Sequence, residues 1–226
     1  MNVPPFLTSA VWRRPMRRRA SVRGEGGTEL RIIKINAGAE ALRHFFALFQ
    51  EGIVVEAETG GSVKAFLCEQ IGLDPRYVEE SISTVFLDGM PVDDMDAAVL
   101  HDGAALALSA AMPGLVGATF RKGGYYAPLR SAISYRSAEA PDGAGRGRVR
   151  IKLFNAVMEA AGAQFLRKGI VLSSSRSAEI LGMPAQEMSG GLDGLIGDIS
   201  HATGDVPAGG SEELLLVVDM DDVETT

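Results

Sequence analysis

From Leu30 onward the chain acquires a regular pattern of apolar positions. Leu30-Arg-Ile-Ile-Lys-Ile35 is a β-branched run that predicts a buried strand. Residues 39–50 have helical composition, with Leu42, Phe45, Phe46 and Phe49 on one broad apolar face. Gly52-Ile-Val-Val-Glu-Ala-Glu58 predicts a second strand that stops at Gly60-Gly61. Ser62 is placed to cap a helix in which Val63, Phe66, Leu67 and Ile71 recur at helical spacing, and Gly72 is placed to end it. Thr84-Val-Phe-Leu87 predicts a third strand closed by an Asp88-Gly89 turn, where the glycine supplies positive φ. After the Leu100-His-Asp-Gly103 turn, residues 104–110 predict a short strand of small residues.

In the second half, three of the four tyrosines fall between Tyr125 and Tyr135, a stretch expected to be a strand or helix packed on the first sheet. Residues 137–147 have linker composition. Arg148-Val-Arg-Ile-Lys-Leu-Phe154 alternates strictly, which turns Val149, Ile151 and Leu153 inward on a half-exposed strand. Residues 156–166 read as a helix and Gly169-Ile-Val-Leu172 as a strand. Ser173–Ser177 and Gly190–Gly197 are expected loops, and Glu213-Leu-Leu-Leu-Val-Val218, the strongest strand signal, belongs in the middle of a sheet. The strand, helix, strand order of 31–55 recurs weakly over 150–172, which suggests a degenerate repeat.

With 46% hydrophobic and 23% charged residues, the chain of 226 residues suits a packed, non-membrane protein. Its charge is uneven. Net charge is −7, yet residues 1–24 hold six arginines and no acid, leaving −13 on the rest. An arm of that composition, running into Gly24-Glu-Gly-Gly27, buries too little apolar surface to offset its ordering entropy, so residues 1–29 are expected to be disordered. Arginine-rich arms contact nucleic acid or anionic lipid, or act as presequences. A plain extension is the preferred reading here, and contact of the arm with nucleic acid is the less favoured one. One cysteine excludes an internal disulfide and, with three histidines, argues against a structural zinc site. Cys68 is expected to be a packed core thiol and His44 a surface residue. No metal and no cofactor are expected. A cytoplasmic location follows from the single thiol and from the lack of any apolar stretch long enough to span a bilayer.

The element order over residues 30–110 is that of a β-grasp sheet wrapped on one helix. Val85-Phe-Leu-Asp-Gly-Met-Pro-Val-Asp-Asp94, Leu100-His-Asp-Gly-Ala-Ala-Leu-Ala-Leu108 and Pro113-Gly-Leu-Val-Gly117 together resemble the ubiquitin-like sulfur carriers, meaning the small subunit of molybdopterin synthase and the thiamine sulfur carrier. The resemblance covers residues 30–120, about 40% of the chain. It implies an α+β fold with a β-grasp domain over 30–135, and the strand and helix pattern of the second half adds a second α+β lobe over 148–226, read as a degenerate repeat of the first. It also implies a role in sulfur or metal-cofactor metabolism. The family needs a free C-terminal Gly-Gly to carry sulfur, whereas here Gly114-Leu-Val-Gly117 stands at the aligned place and the nearest pair is Gly123-Gly124, after Lys122. A carrier would require cleavage after Gly124; otherwise the pair is a hinge.

No dinucleotide or phosphate-binding glycine loop, His-Glu-x-x-His or Gly-x-Ser-x-Gly is present. A Ser/His/Asp set could still assemble from Ser173–Ser177, His201 and Asp205. Asp93, Asp94 and Asp96 read as a solvated charge run, and the glycines of 113–124 and 190–197 could offer backbone amides to an anion. The expected function is a non-catalytic module that binds a protein partner through the sheet face and the 112–126 tail, with Gly114, Gly117, Lys122, Gly123 and Gly124 as candidate residues. The alternative is a small-molecule-binding subunit or enzyme with its site between two lobes.

Overall fold

The computed structural model describes residues 21–23, 29–136, 144–180, 199–203 and 213–220. The expected arm up to residue 20, the 190–197 loop and Asp205 lie outside them.

The elements in chain order are β1 (Ser21–Arg23), β2 (Glu29–Ala37), a 3-10 segment (Ala39–Phe45) running into α1 (Phe46–Glu51), and β3 (Ile53–Thr59). There follow α2 (Val63–Ala65) with a π-helical continuation (Phe66–Gln70), α3 (Pro75–Glu80), β4 (Thr84–Leu87), β5 (Met90–Pro91) and β6 (Ala105–Ser109). Next come α4 (Gly114–Phe120), a 3-10 turn (Ala127–Arg130), β7 (Gly145–Phe154), α5 (Ala156–Lys168) and β8 (Ile170–Ser173). The last are α6 (Ser174–Ile180), β9 (Ile199–Thr203) and β10 (Glu213–Met220). The fold is mixed α+β.

All ten strands join one mixed sheet in the order β1-β2-β10-β8-β3-β7-β6-β4-β5, with β9 sharing the outer edge of β2 beside β1. Two pairings are parallel, β2 with β10 and β6 with β7; the rest are antiparallel. Two corrections to the sequence reading follow. Leu30–Ile35 does not lie beside Gly52–Glu58 as a β-grasp reading of 30–110 requires; β10 and β8 stand between them, and β7 takes the place next to β3. The helical segment expected over 39–50 is present, but it acts as a crossover that leaves β2 and β3 running in the same direction, whereas the first two strands of a β-grasp sheet are an antiparallel pair. Ser21–Arg23, assigned to the arm, forms an edge strand on β2.

The strands of 30–135 and 148–226 interleave, and their helices share one core. Ile53, Val55 and Ala57 of β3, Val149, Ile151 and Leu153 of β7, and Leu214, Leu216 and Val218 of β10 point to that core. The alternation anticipated for β7 is observed, and β10 is central. From the helices come Leu48, Phe49, Val63, Phe66, Leu67, Val157, Phe165 and Leu166. α1 and α5 cross closely because Gly162 has no side chain; a Cβ there would lie 2.7 Å from the Phe49 ring.

Several local signals act as expected. Ser62 Oγ accepts from the Ala65 N–H at 3.1 Å, and Gly72 takes φ +83° after the helix. Ile71 N–H reaches back five residues to Phe66 O, so the helix ends as a π turn. Asp88 and Gly89 both have positive φ, which suits the right-handed twist of the β4–β5 hairpin. Ser174–Ser177, expected as loop, is instead the start of α6: Ser173 Oγ accepts from the Arg176 N–H as an N-terminal cap does, and Ser177 Oγ donates back to Ser173 O.

Candidate protein-interaction surface

After β6 the chain leaves the sheet and folds through residues 112–136, and among the described residues the next strand is β7. The stretch is attached at many points. The Phe120 ring packs on Phe86 with centroids 5.3 Å apart. Lys122 N–H donates to Ser83 O, and its ammonium donates to Val78 O, Glu79 O and Glu79 Oε2. Tyr135 N–H donates to Pro91 O at 2.7 Å, while Tyr135 Oη accepts from the Val99 N–H.

Arg130 is the centre of this attachment, with only 4% of its surface exposed. Its Nη1 and Nη2 donate to the two carboxylate oxygens of Asp93 at 3.0 and 2.7 Å. Nε donates to Thr119 O, Nη1 also to Ser134 Oγ, and Gly123 N–H shares Asp93 Oδ1. A buried guanidinium is tolerated only where its donors are met, and here the fork finds a carboxylate plus carbonyl and hydroxyl oxygens.

The same geometry turns apolar side chains outward. Arg130 and Ser134, four residues apart, turn inward and bond each other, with Arg130 reaching Asp93; Leu129 and Ile133, also four apart, face solvent. Of the seven large hydrophobic residues that stand exposed among the described residues, six (Leu115, Val116, Tyr125, Tyr126, Leu129 and Ile133) belong to this stretch. Leu115 is 71%, Leu129 76% and Tyr125 90% exposed. Among the described residues, then, most of the exposed large apolar side chains stand on one firmly bonded stretch.

The five glycine and lysine candidates all fall here, in different roles. Gly114 opens α4 with φ +79°. Gly117 is buried against the Met112 carbonyl, where a Cβ would sit 2.1 Å from the oxygen. Lys122 is the ammonium anchor just described. Gly123 takes φ +59° in the turn, and Gly124 O accepts from the Ala127 N–H. Leu129, Arg130 and Ile133 lie beyond the expected tail of 112–126. The sequence carries one signal for them: residues 112–136 include Arg121, Lys122, Arg130 and Arg136 but no acid, in a chain of net −7.

No family model, curated protein or solved structure matches this chain.

The other candidates are dispersed. Ser173 on β8 and His201 on β9 are separated by β10 and β2, and the registers, Ser173 beside Glu213 and His201 beside Asn36, place them near opposite ends of those strands as well. Asp93 holds Arg130; Asp94 Oδ1 accepts from the amides of Asp96 and Ala97; Asp96 pairs with Lys64 at 2.9 Å. Among the described residues no group of three or more His, Cys, Asp or Glu is placed to hold a metal ion, and no helix is long and apolar enough to cross a membrane.

Cys68 packs half-buried against the core, and burial raises its thiol pKa. Lys64 bonds Glu79 as well as Asp96, and these bonds push its pKa above the usual lysine range while drawing that of Glu79 down. His44 is exposed, whereas His101 bridges two loops: Nδ1 lies 2.8 Å from Asp102 O and Nε2 2.8 Å from Asp88 Oδ2. The carbonyl of Asp102, then the Asp88 carboxylate, raise the pKa of His101.

Proposed function

We propose that this protein is a non-catalytic interaction module that binds a protein partner through residues 112–136. The observation that carries this reading is the combination of Arg130, bonded at every side and withdrawn from solvent, with Leu115, Val116, Leu129 and Ile133 presented outward. A surface fixed before binding loses little conformational entropy on contact, so its apolar area is available to affinity.

Residues 53–154 are best read as a β-grasp-like unit with an exchanged strand. The order β3-β7-β6-β4-β5, with β7 parallel to β6 and antiparallel to β3, has the central parallel pair of a β-grasp sheet. β7 then stands where the first strand of that fold stands, although it comes late in the chain. This favours partner binding over sulfur carriage, because releasing a chain end at Gly124 would take β7 from between β3 and β6.

The test is paired purification from the native host, with the wild-type chain and a Leu129→Asp/Ile133→Asp variant as baits. Both substituted positions are solvent-exposed, so the variant keeps the wild-type melting temperature. A partner held by the wild type and lost by the variant is the expected result. A partner retained equally by both would remove the surface from its role.

A further inference from the structure

The face of the sheet opposite the core carries a row of cations whose acids run out partway along. On β7, Arg146, Arg148, Arg150 and Lys152 share that face, since side chains alternate along a strand. Register places Glu58 beside Arg146 and Glu56 beside Arg148, and Arg148 Nη1 also reaches Glu213 at 2.7 Å. Beyond them the neighbours are apolar or absent. Val54 lies beside Arg150 on one side, and on the other Ala105 and Ala107 of β6 lie beside Arg150 and Lys152. Neither Arg150 nor Lys152 has an ion-pair partner among the described residues.

Their stems lean toward β3, over Gly52: a Cβ on Gly52 would come within 3.1 Å of Arg150 Cγ and 3.3 Å of Lys152 Cγ. The small side chains of Ala105 and Ala107 are therefore left as a shallow floor. On the far side of that floor Phe86, in register with Ala107, carries Phe120 and so α4. A strip of small residues thus runs between a cationic row and the helix that presents Leu115 and Val116. Arg121 and Arg136, both exposed and without an acidic partner among the described residues, extend the positive side onto the contact surface itself.

We infer that the partner bound at residues 112–136 presents an amphipathic protein segment with apolar anchors and an acidic flank, the anchors meeting Leu115, Val116, Leu129 and Ile133 and the acids meeting Arg150, Lys152 and Arg121. This rests on the surface assigned above and specifies what it recognises. Charge complementarity selects the acidic flank: the acids that border the stretch, Asp93 and Glu79, are already paired with Arg130 and with Lys64 and Lys122, whereas Arg121, Arg150 and Lys152 have no acidic partner among the described residues. A protein segment fits better than a nucleic acid: four of the six exposed apolar side chains of the stretch, Leu115, Val116, Leu129 and Ile133, are aliphatic and offer no ring for a base to stack on.

The experiment is fluorescence anisotropy with two labelled amphipathic peptides of identical Leu and Phe anchors, one flanked by glutamate and one by lysine, and with labelled oligothymidine. Low salt should show the glutamate peptide binding about fivefold or more tightly than the lysine peptide. Arg150→Glu/Lys152→Glu should erase that preference, and the milder Arg150→Gln/Lys152→Gln, checked by an unchanged melting temperature, should reduce it. Leu129→Asp/Ile133→Asp should abolish binding of both peptides. Equal binding of the two peptides, lost on Leu129→Asp/Ile133→Asp, would leave the surface standing and overturn the acidic flank. A preference indifferent to Arg150 and Lys152 would overturn their part in it. Oligothymidine binding more tightly than the glutamate peptide would replace the protein segment by single-stranded nucleic acid. Binding of neither peptide would count against the surface as well.

Discussion

Arg130 and Asp93 meet fork to fork, 37 positions apart in sequence, with N–O distances of 3.0 and 2.7 Å. Through this pair, the stretch that follows β6 is fixed to the end of the β4–β5 hairpin.

Arg130→Ala should therefore free the stretch before it unfolds the protein. It leaves the Asp93 carboxylate, Thr119 O and Ser134 Oγ without their donor, at a cost of about 2–3 kcal/mol. Amide exchange should rise first at Lys122, Gly123 and Tyr135, whose N–H bonds tie the stretch down, while β3 and β7 stay protected. Uniform acceleration across the sheet would assign Arg130 to global stability instead.

His101 makes the β4–β5 turn sensitive to pH. Folding raises its pKa above the ordinary value near 6.5, so the fold favours the protonated ring. The contribution is complete below that ordinary value and is lost as pH climbs through the raised one. The melting temperature of the wild type should exceed that of His101→Gln more at pH 5.5 than at pH 9, with the difference shrinking between them. A constant difference would mean that the ring contributes only through packing.

Gly162→Ala should destabilise the protein by about 1–3 kcal/mol, because the added methyl is driven into Phe49 and Leu42 where the two helices cross. Chemical denaturation measures it. Phe49→Leu in the same chain should recover part of the loss, and the absence of any recovery would place the strain elsewhere.

A fragment ending at Gly124 should not fold, since the place between β3 and β6 would be empty. Circular dichroism and amide dispersion should show a largely unstructured chain, and co-expression with residues 144–226 should restore the sheet. A well-dispersed spectrum from the fragment alone would revive the carrier reading.

Local rules made much of this visible in the sequence. Ser62, Gly72, the Asp88-Gly89 turn, the inward Val149, Ile151 and Leu153, and the central Leu214–Val218 all follow from capping, turn chemistry and period. What eluded them is non-local. Nothing near Ile53 indicates that its neighbour will be Ile151 rather than Ile33, since both offer the same apolar face and the choice is set by how the crossovers pack. Arg130 reads as an ordinary surface cation until Asp93 is brought to it, and so the outward turn of Leu129 and Ile133 is equally hidden. Ser173–Ser177 failed for a simpler reason: serines cap helices as readily as they fill loops.

The parallel pairing of β10 with β2 carries a consequence for how the molecule is made. On the ribosome, β2 emerges nearly two hundred residues before the strand that will lie against its inner side, and β8 likewise waits for that same strand. Until Glu213–Met220 have left the exit tunnel, the growing chain holds two apolar edges open. Such contacts, distant along the chain, close slowly, so the nascent protein should depend on chaperones during synthesis to a degree that its finished core would not suggest.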